Sequence, residues 1–288
     1  MGINNHGFNL LHYASQHAPL GDVLTLGRLG FHVARRQEPR LLRRVGSEYF
    51  DKRDAERVMR DFFGAAQIDS MDISDFEGAT IRHDLNLPVP ESLHGRFDSV
   101  IDFGTCEHVY NIVQAFENIS KMTKPGGQIL HMLPANGQCG HGFWQCSPEL
   151  FYSLYKPANG YRETEVFIAD NAAPLRWLRA SKPTEGRRTN LRSATPLFAM
   201  VRTVKAEAET SHLNVQQSDY EVAWEGGAHD PKRGSISNSK TATATWIARR
   251  SLRLAEILGN AFHYDMIQWQ RHSEEVDLRR LKAPKADR

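Results

Sequence analysis

The sequence predicts an α/β fold, a mostly parallel central sheet covered by helices on both faces. Three observations predict it. Short, apolar, β-branched runs alternate with helix-period segments over the first 200 or so residues. Each run is closed by Gly, Pro or Asp. Polar residues able to do chemistry collect where the runs end, which in an open α/β sheet is the ligand edge.

The elements follow in order. Val23 to Leu26, between Gly21-Asp22 and Gly27, reads as the first strand. Residues 35–64 read as a helical insertion, with Val58, Met59, Phe62 and Phe63 at helical spacing and Gly64 where a C-cap belongs. AQIDSMDI is the second strand, ATIRHDLNLP the third, ended by Pro88, and FDSVIDF the fourth. NIVQAFENISKMT is a helix whose apolar face is Ile112, Ala115, Phe116, Ile119 and Met122, stopped by Pro125-Gly126-Gly127. QILHMLP is the fifth strand. SPELFYSLY starts a helix with Ser147 as N-cap and Pro148 at its first position. RETEVFIA and TPLFAMVRTVKA are two further strands.

The main domain is therefore expected over residues 1–204, a polar linker over 205–240 and a C-terminal helical extension over 241–288, with helices near 242–259 and 262–282. The net charge of +2 supplies no basic stripe for nucleic acid. Three cysteines without a CxxC pair suit a reducing compartment, and no apolar run reaches membrane-spanning length, so a cytoplasmic location is expected. Residues 246–262 could form a basic amphipathic helix. Packing on its own domain or on a second copy in a homodimer is the expectation, and peripheral membrane contact the alternative.

At the strand ends stand Gly27 and Arg28, Asp72, Asp84, the run Asp102 to His108, and Asn136 to His141. Asp72 could take both hydroxyls of a ribose, since a carboxylate offers two acceptor oxygens; equally, it could cap its own turn.

In this order and spacing, IDSMDIS, RHDLNLP, FDSVIDFGTCEHV and KMTKPGGQILHMLP resemble the class I S-adenosylmethionine-dependent methyltransferases, over roughly residues 20–170. The resemblance implies a Rossmann-like methyltransferase fold and S-adenosyl-L-methionine as cofactor. By position it implies that Asp72 holds the ribose, with its neighbour Ile73 also in the cofactor site, that Asp84 and Leu85 border the adenine, and that Asp102, Phe103, Gly104 and Thr105 line the floor beside the sulfonium. Glu107 and His108 would open the substrate side. One departure stands out. After the first strand the family carries an acid and three alternating glycines; here VLTLGRLGF keeps Gly27 but has Thr25, Leu29 and Phe31 in the other places. Arg28 could pair with the cofactor's carboxylate instead.

If the chain transfers a methyl group, alignment does most of the work, and an oxygen or nitrogen acceptor also needs a proton removed. His108 and His141 are the candidate bases, with Glu107 orienting one of them. Phe143 and Trp144 are expected to pack against the sheet, with stacking on a substrate ring as the alternative. Cys106 and Cys146 read as small apolar filling. Among the thirteen histidines no HExxH or paired-ligand spacing occurs, so no metal is expected. The expected substrate is a small molecule or a glycan-type precursor. A non-catalytic scaffold that has lost the cofactor is the rival. An NAD enzyme is less well matched, because GxGxxG is absent.

Overall fold

The computed structural model describes residues 2–48, 53–173, 176–180, 182, 191–193, 195–210, 215–224, 268–269 and 274–277. Its strands are β1 (Gly2–Ile3), β2 (Gly21–Leu26), β3 (Gly30–Phe31), β4 (Ala65–Asp72), β5 (Ile81–Arg82), β6 (Phe97–Asp102), β7 (Thr123–Asn136), β8 (Tyr161–Asp170), β9 (Arg176–Arg179), β10 (Leu191–Arg192), β11 (Leu197–Lys205), β12 (Gln268–Trp269) and β13 (Glu274–Asp277). The helices are α1 (Asn5–Ser15), α2 (Glu38–Arg44), α3 (Ala55–Phe63), α4 (Ile112–Met122), α5 (Pro148–Leu154) and α6 (Ser218–Trp224).

The main sheet has nine strands in the order β13-β9-β8-β11-β7-β6-β2-β4-β5. The strands from β5 to β7 are parallel, and β11 runs antiparallel between β7 and β8. From β2 the chain proceeds outward one way to β4 and β5, then returns to the other side of β2 for β6 and β7. That reversal between β2 and β6 is the switch point of a doubly wound, Rossmann-like sheet, the fold the motif order implied.

Alternating strand residues build two cores. Leu24, Val100, Ile129, Leu133 and Ile168 face α4 and α5. Val23, Ile101, Leu130, Met132 and Phe167 face α1 and α3. Full burial on both faces explains why these strands read as continuous apolar runs rather than as alternating ones.

Local signals placed most elements. Asp54 caps α3 by accepting the Arg57 amide at 2.8 Å, and Gly64 closes it at φ 70°. Ser147 caps α5 as expected. Four expectations need correction. Helix α4 ends at Met122, and Pro125-Gly126-Gly127 lies inside β7, where the pairing with β6 slips between Phe97 and Ser99. A side chain at position 127 would come within 2.9 Å of the Asp98 carbonyl, so the strand needs glycine there. The third strand shrinks to Ile81–Arg82, because Asp84 turns the chain. In the C-terminal region, β12 and β13 fall within the helix expected at 262–282; the rest of it, and the one at 242–259, lie outside the described residues. Helix α6 falls within the expected linker.

Helix α1 had no place among the elements expected from the sequence. Asn4 caps it by accepting the His6 and Gly7 amides at 2.9 and 3.0 Å. Burial then fixes it. The Trp177 indole donates to His6 Nδ1 at 2.9 Å, which leaves Nε2–H to donate to the Asp170 carbonyl at 3.0 Å. The Trp177 contact requires the neutral ring, and burial lowers the His6 pKa to about 4. Unfolded, the ring protonates near its ordinary pKa of about 6.5. Between those values the unfolded chain binds the extra proton, so stability present above pH 6.5 is lost as the pH falls toward 4, by up to about 1.4 kcal/mol per pH unit. Denaturation of the wild type and a His6→Gln variant from pH 7 to 4.5 should show a flatter slope in the variant; parallel curves would remove His6 as a source of acid sensitivity.

Candidate active site at the carboxyl edge of the sheet

Pairing puts Met71, Leu26, Asp102 and His131 in one row across β4, β2, β6 and β7. One residue further along lie Asp72, Gly27, Phe103 and Met132. The sequence-predicted positions 27, 72 and 102–105 are thus brought to one edge, at the switch point.

What they offer there differs. The Asp102 side chain is fully buried. Its Oδ1 accepts the amides of Thr105 and Cys106 at 3.0 and 3.2 Å, and its Oδ2 meets His131 Nδ1 at 2.9 Å. His131 Nε2 in turn meets the Tyr155 hydroxyl at 2.7 Å. With Asp102 as acceptor, Nδ1 carries the proton and Nε2 accepts from the phenol, which burial keeps well above its ordinary pKa. This relay lies inside the core beneath the edge, so the carboxylate is not available to a ligand. Phe103 and Leu85 are core residues as well. At these positions only backbone can line a site, and Gly104, at φ 98°, is the turn that allows it.

The loop after β2 is rebuilt rather than merely degenerate. Gly27 adopts φ 71° and donates to the Met71 carbonyl at 2.7 Å; the Thr25 hydroxyl, where the resembled family has an acid, donates to the Gly27 carbonyl at 2.8 Å. Leu29 and Phe31 turn into the core under α1. Gly30 pairs with Gly2 across a short parallel β1–β3 ladder covered by the His32 ring, and a Cβ on either glycine would come within 3.0 Å of that ring. Arg28 does not reach toward Asp102. Its guanidinium donates to the carbonyls of Glu77 and Gly78 at 3.3 and 3.2 Å and lies 3.7 Å from Glu56.

Asp72 remains half-buried at the end of β4, with one long bond from the Ser74 amide at 3.3 Å. Beside it Ile73 is 62% exposed. Asp84 is engaged by the amide and the side chain of Asn86 at 2.9 and 2.8 Å, which lower its pKa. The stretch after it is pinned by buried Asn118, whose amide donates to the Leu85 and Leu87 carbonyls and accepts from the Val89 amide. Asn118→Ala would orphan these groups and should cost about 1–3 kcal/mol, measurable as a lower urea midpoint; an unchanged midpoint would show that water replaces the amide.

Across the edge the fold gathers Glu107, His108 and His141. Glu107 opens the turn after β6 with its side chain 1% exposed, whereas the two imidazoles are about half exposed. Its Oε1 lies 3.4 Å from His141 Nε2 and 3.9 Å from His108 Nε2, and among the described residues neither carboxylate oxygen has a hydrogen-bond partner. Burial and the nearby Asp102 carboxylate hold the Glu107 carboxyl well above the usual range; burial and then His141 lower the His108 pKa. The glycine-flanked loop is locked by its backbone, since the amides of Phe143 and Trp144 donate to the Glu107 carbonyl at 2.8 and 3.2 Å. A side chain at Gly142 would strike that carbonyl at 2.8 Å, so the loop closes this tightly only with glycine.

Phe143 is 68% exposed and Trp144 39%, against the expectation that they pack on the sheet. Phe143 meets Tyr110, itself 76% exposed, edge-on at 6.1 Å. Sequence reasoning passed over Tyr110, although its place two residues after His108 put it at the same edge. Cys106 is fully buried and its thiol pushed up by burial, which suits filling and not nucleophilic attack.

No protein-family model and no curated protein matches this sequence. Among solved structures, the chain is similar to a 1,6-didemethyltoxoflavin-N1-methyltransferase from Burkholderia thailandensis with bound 1,6-didemethyltoxoflavin and S-adenosylhomocysteine, at 12% identity and a TM-score of 0.37 over 70% of this chain and 78% of that one. It is similar also to a SAM-dependent methyltransferase from Thermotoga maritima, at 15% identity and a TM-score of 0.34 over 70% and 91%. A third is the YcgJ protein from Bacillus subtilis, at 9% identity and a TM-score of 0.39 over 70% and 99%. At such distances function has to be argued from the site itself.

Proposed function

We propose that the chain is an S-adenosylmethionine-dependent methyltransferase acting on a small molecule, a glycan-type precursor included. The observation that carries this reading is the pairing, at the switch point of the sheet, of a half-buried and largely unengaged Asp72 beside positive-φ Gly27 with the Glu107–His108–His141 cluster across the same edge. The ribose end fits. Among the described residues Asp72 accepts one long hydrogen bond, so its carboxylate keeps acceptor capacity for a diol. Leu29 and Phe31 do not fill the edge, because both side chains are buried under α1.

When bound, the cofactor supplies a methyl group on a positively charged sulfur, already a good leaving group. The protein's part is alignment and activation. Backbone at Phe103 to Thr105 forms the floor, held rigid by the Asp102 contacts and by the Thr105 hydroxyl on the Leu26 carbonyl at 2.7 Å. Tyr110, Phe143 and Trp144 present an aromatic rim to an acceptor ring. The cluster of Glu107, His108 and His141 activates the acceptor atom.

The scaffold reading is favoured by one feature, the β1–β3 ladder standing where glycines would approach a ligand. Calorimetric titration with S-adenosylmethionine and S-adenosylhomocysteine separates the two. Micromolar binding is the expected result; no binding up to millimolar on folded protein would leave the scaffold.

A further inference from the structure

The spacing of histidines along the chain offered no metal motif, yet the fold supplies one from residues 33 positions apart. We propose that Glu107, His108 and His141 form a mononuclear site for a divalent transition-metal ion of the zinc or ferrous type, open on its outer side to an oxygen atom of the acceptor. One ligand atom from each lies within 4.8 Å of the others. Two ligands of a tetrahedral metal, each at about 2.0–2.1 Å, stand about 3.4 Å apart. The Glu107–His141 separation of 3.4 Å already has that value; His108, 3.9 Å from Glu107 and with its ligand atom within 4.8 Å of that of His141, would have to draw in toward both.

A second, independent observation points the same way. Among the described residues, the buried Glu107 carboxylate finds no hydrogen-bond partner for either oxygen. A buried carboxylate is normally satisfied, and an unsatisfied one is costly. Both imidazoles converge on it, yet neither makes a hydrogen bond to it. A cation between them would meet all three groups at once. Two imidazoles and a carboxylate are a donor set that suits zinc, iron(II) and their neighbours rather than magnesium or calcium.

Three protein ligands leave at least one position free, and the half-exposed imidazoles place it outward, beside the rim of Tyr110, Phe143 and Trp144. There the metal would take a hydroxyl, phenol or carboxylate oxygen of the acceptor and lower its pKa. This role for the acceptor rests on the methyltransferase reading; the metal site itself does not. It also replaces the simpler role of the two histidines, which as ligands hold the metal rather than take the proton.

The test uses metal-free, full-length protein titrated with Co²⁺ and followed by its visible absorption, with Zn²⁺ as competitor. One equivalent should bind, tighter than about 10 µM, and Glu107→Gln and His141→Ala should each weaken binding at least about tenfold. His141 lies on an exposed loop, so its variant keeps the fold and decides the matter if Glu107→Gln does not. No saturable binding below millimolar Co²⁺, or wild-type affinity in a folded His141→Ala protein, overturns the site. S-adenosylmethionine titrations on the same preparations keep the two ideas apart. Cobalt without cofactor binding retains the metal site and removes the methyltransferase reading, and cofactor without cobalt binding does the reverse.

Discussion

Replacing Asp102 by alanine is expected to destabilise the protein by about 3–5 kcal/mol, more than any other single substitution at the sheet edge. The substitution strips the acceptor from the Thr105 and Cys106 amides and from His131 at once, all of them in the interior. The loss should spread along the relay to Tyr155, whose hydroxyl pairs with the other nitrogen of the same ring. Asp102→Asn keeps an oxygen for the two amides but sets an amide nitrogen or oxygen against His131, and should cost clearly less. Urea denaturation followed by circular dichroism measures both. A cost below about 1 kcal/mol for Asp102→Ala would mean that the relay is solvated or dispensable, and would return the carboxylate to the ligand-binding groups of the edge.

Asp72→Ala is expected to weaken S-adenosylmethionine binding by about 1–3 kcal/mol, roughly 5- to 150-fold, while leaving the fold intact. The carboxylate sits half-buried at the strand end and makes one weak internal contact, so little structure depends on it. Asp84→Ala is the control. That carboxylate is engaged in its own turn with Asn86, and its removal should change cofactor affinity much less. Equal losses in the two variants would place the adenosine differently along the edge; no loss in the Asp72 variant would remove Asp72 from the site.

Much of this molecule was legible in the chain. FDSVID and QILHML, the amphipathic spacing of Ile112 to Met122, the Ser147 cap and Gly64 are local signals. A strand buried on both faces or a helix with one apolar stripe needs no partner to be recognised. The same holds for the collection of polar residues at strand ends. Helix α1 was not legible, because His6, Gly7 and Asn9 are poor helix formers held by burial and by Trp177, far away in sequence. The β1–β3 ladder is two residues long and has no period to read.

The sequence by itself determined the layers, the central strands and the edge at which a ligand would lie, since each follows from local periodicity and chain direction. Tertiary structure alone decided which of the residues at that edge are available. It turned Asp102 and Phe103 inward, carried Arg28 over to the Glu77–Gly78 turn, and left Asp72 facing the edge. It also closed the Gly142 loop onto the Glu107 carbonyl and so brought His141 to a carboxylate that no local signal pairs with it. The reason is physical. Whether a polar side chain is buried and satisfied or free for chemistry depends on what the rest of the chain packs around it, and spacing along one strand or helix does not encode that.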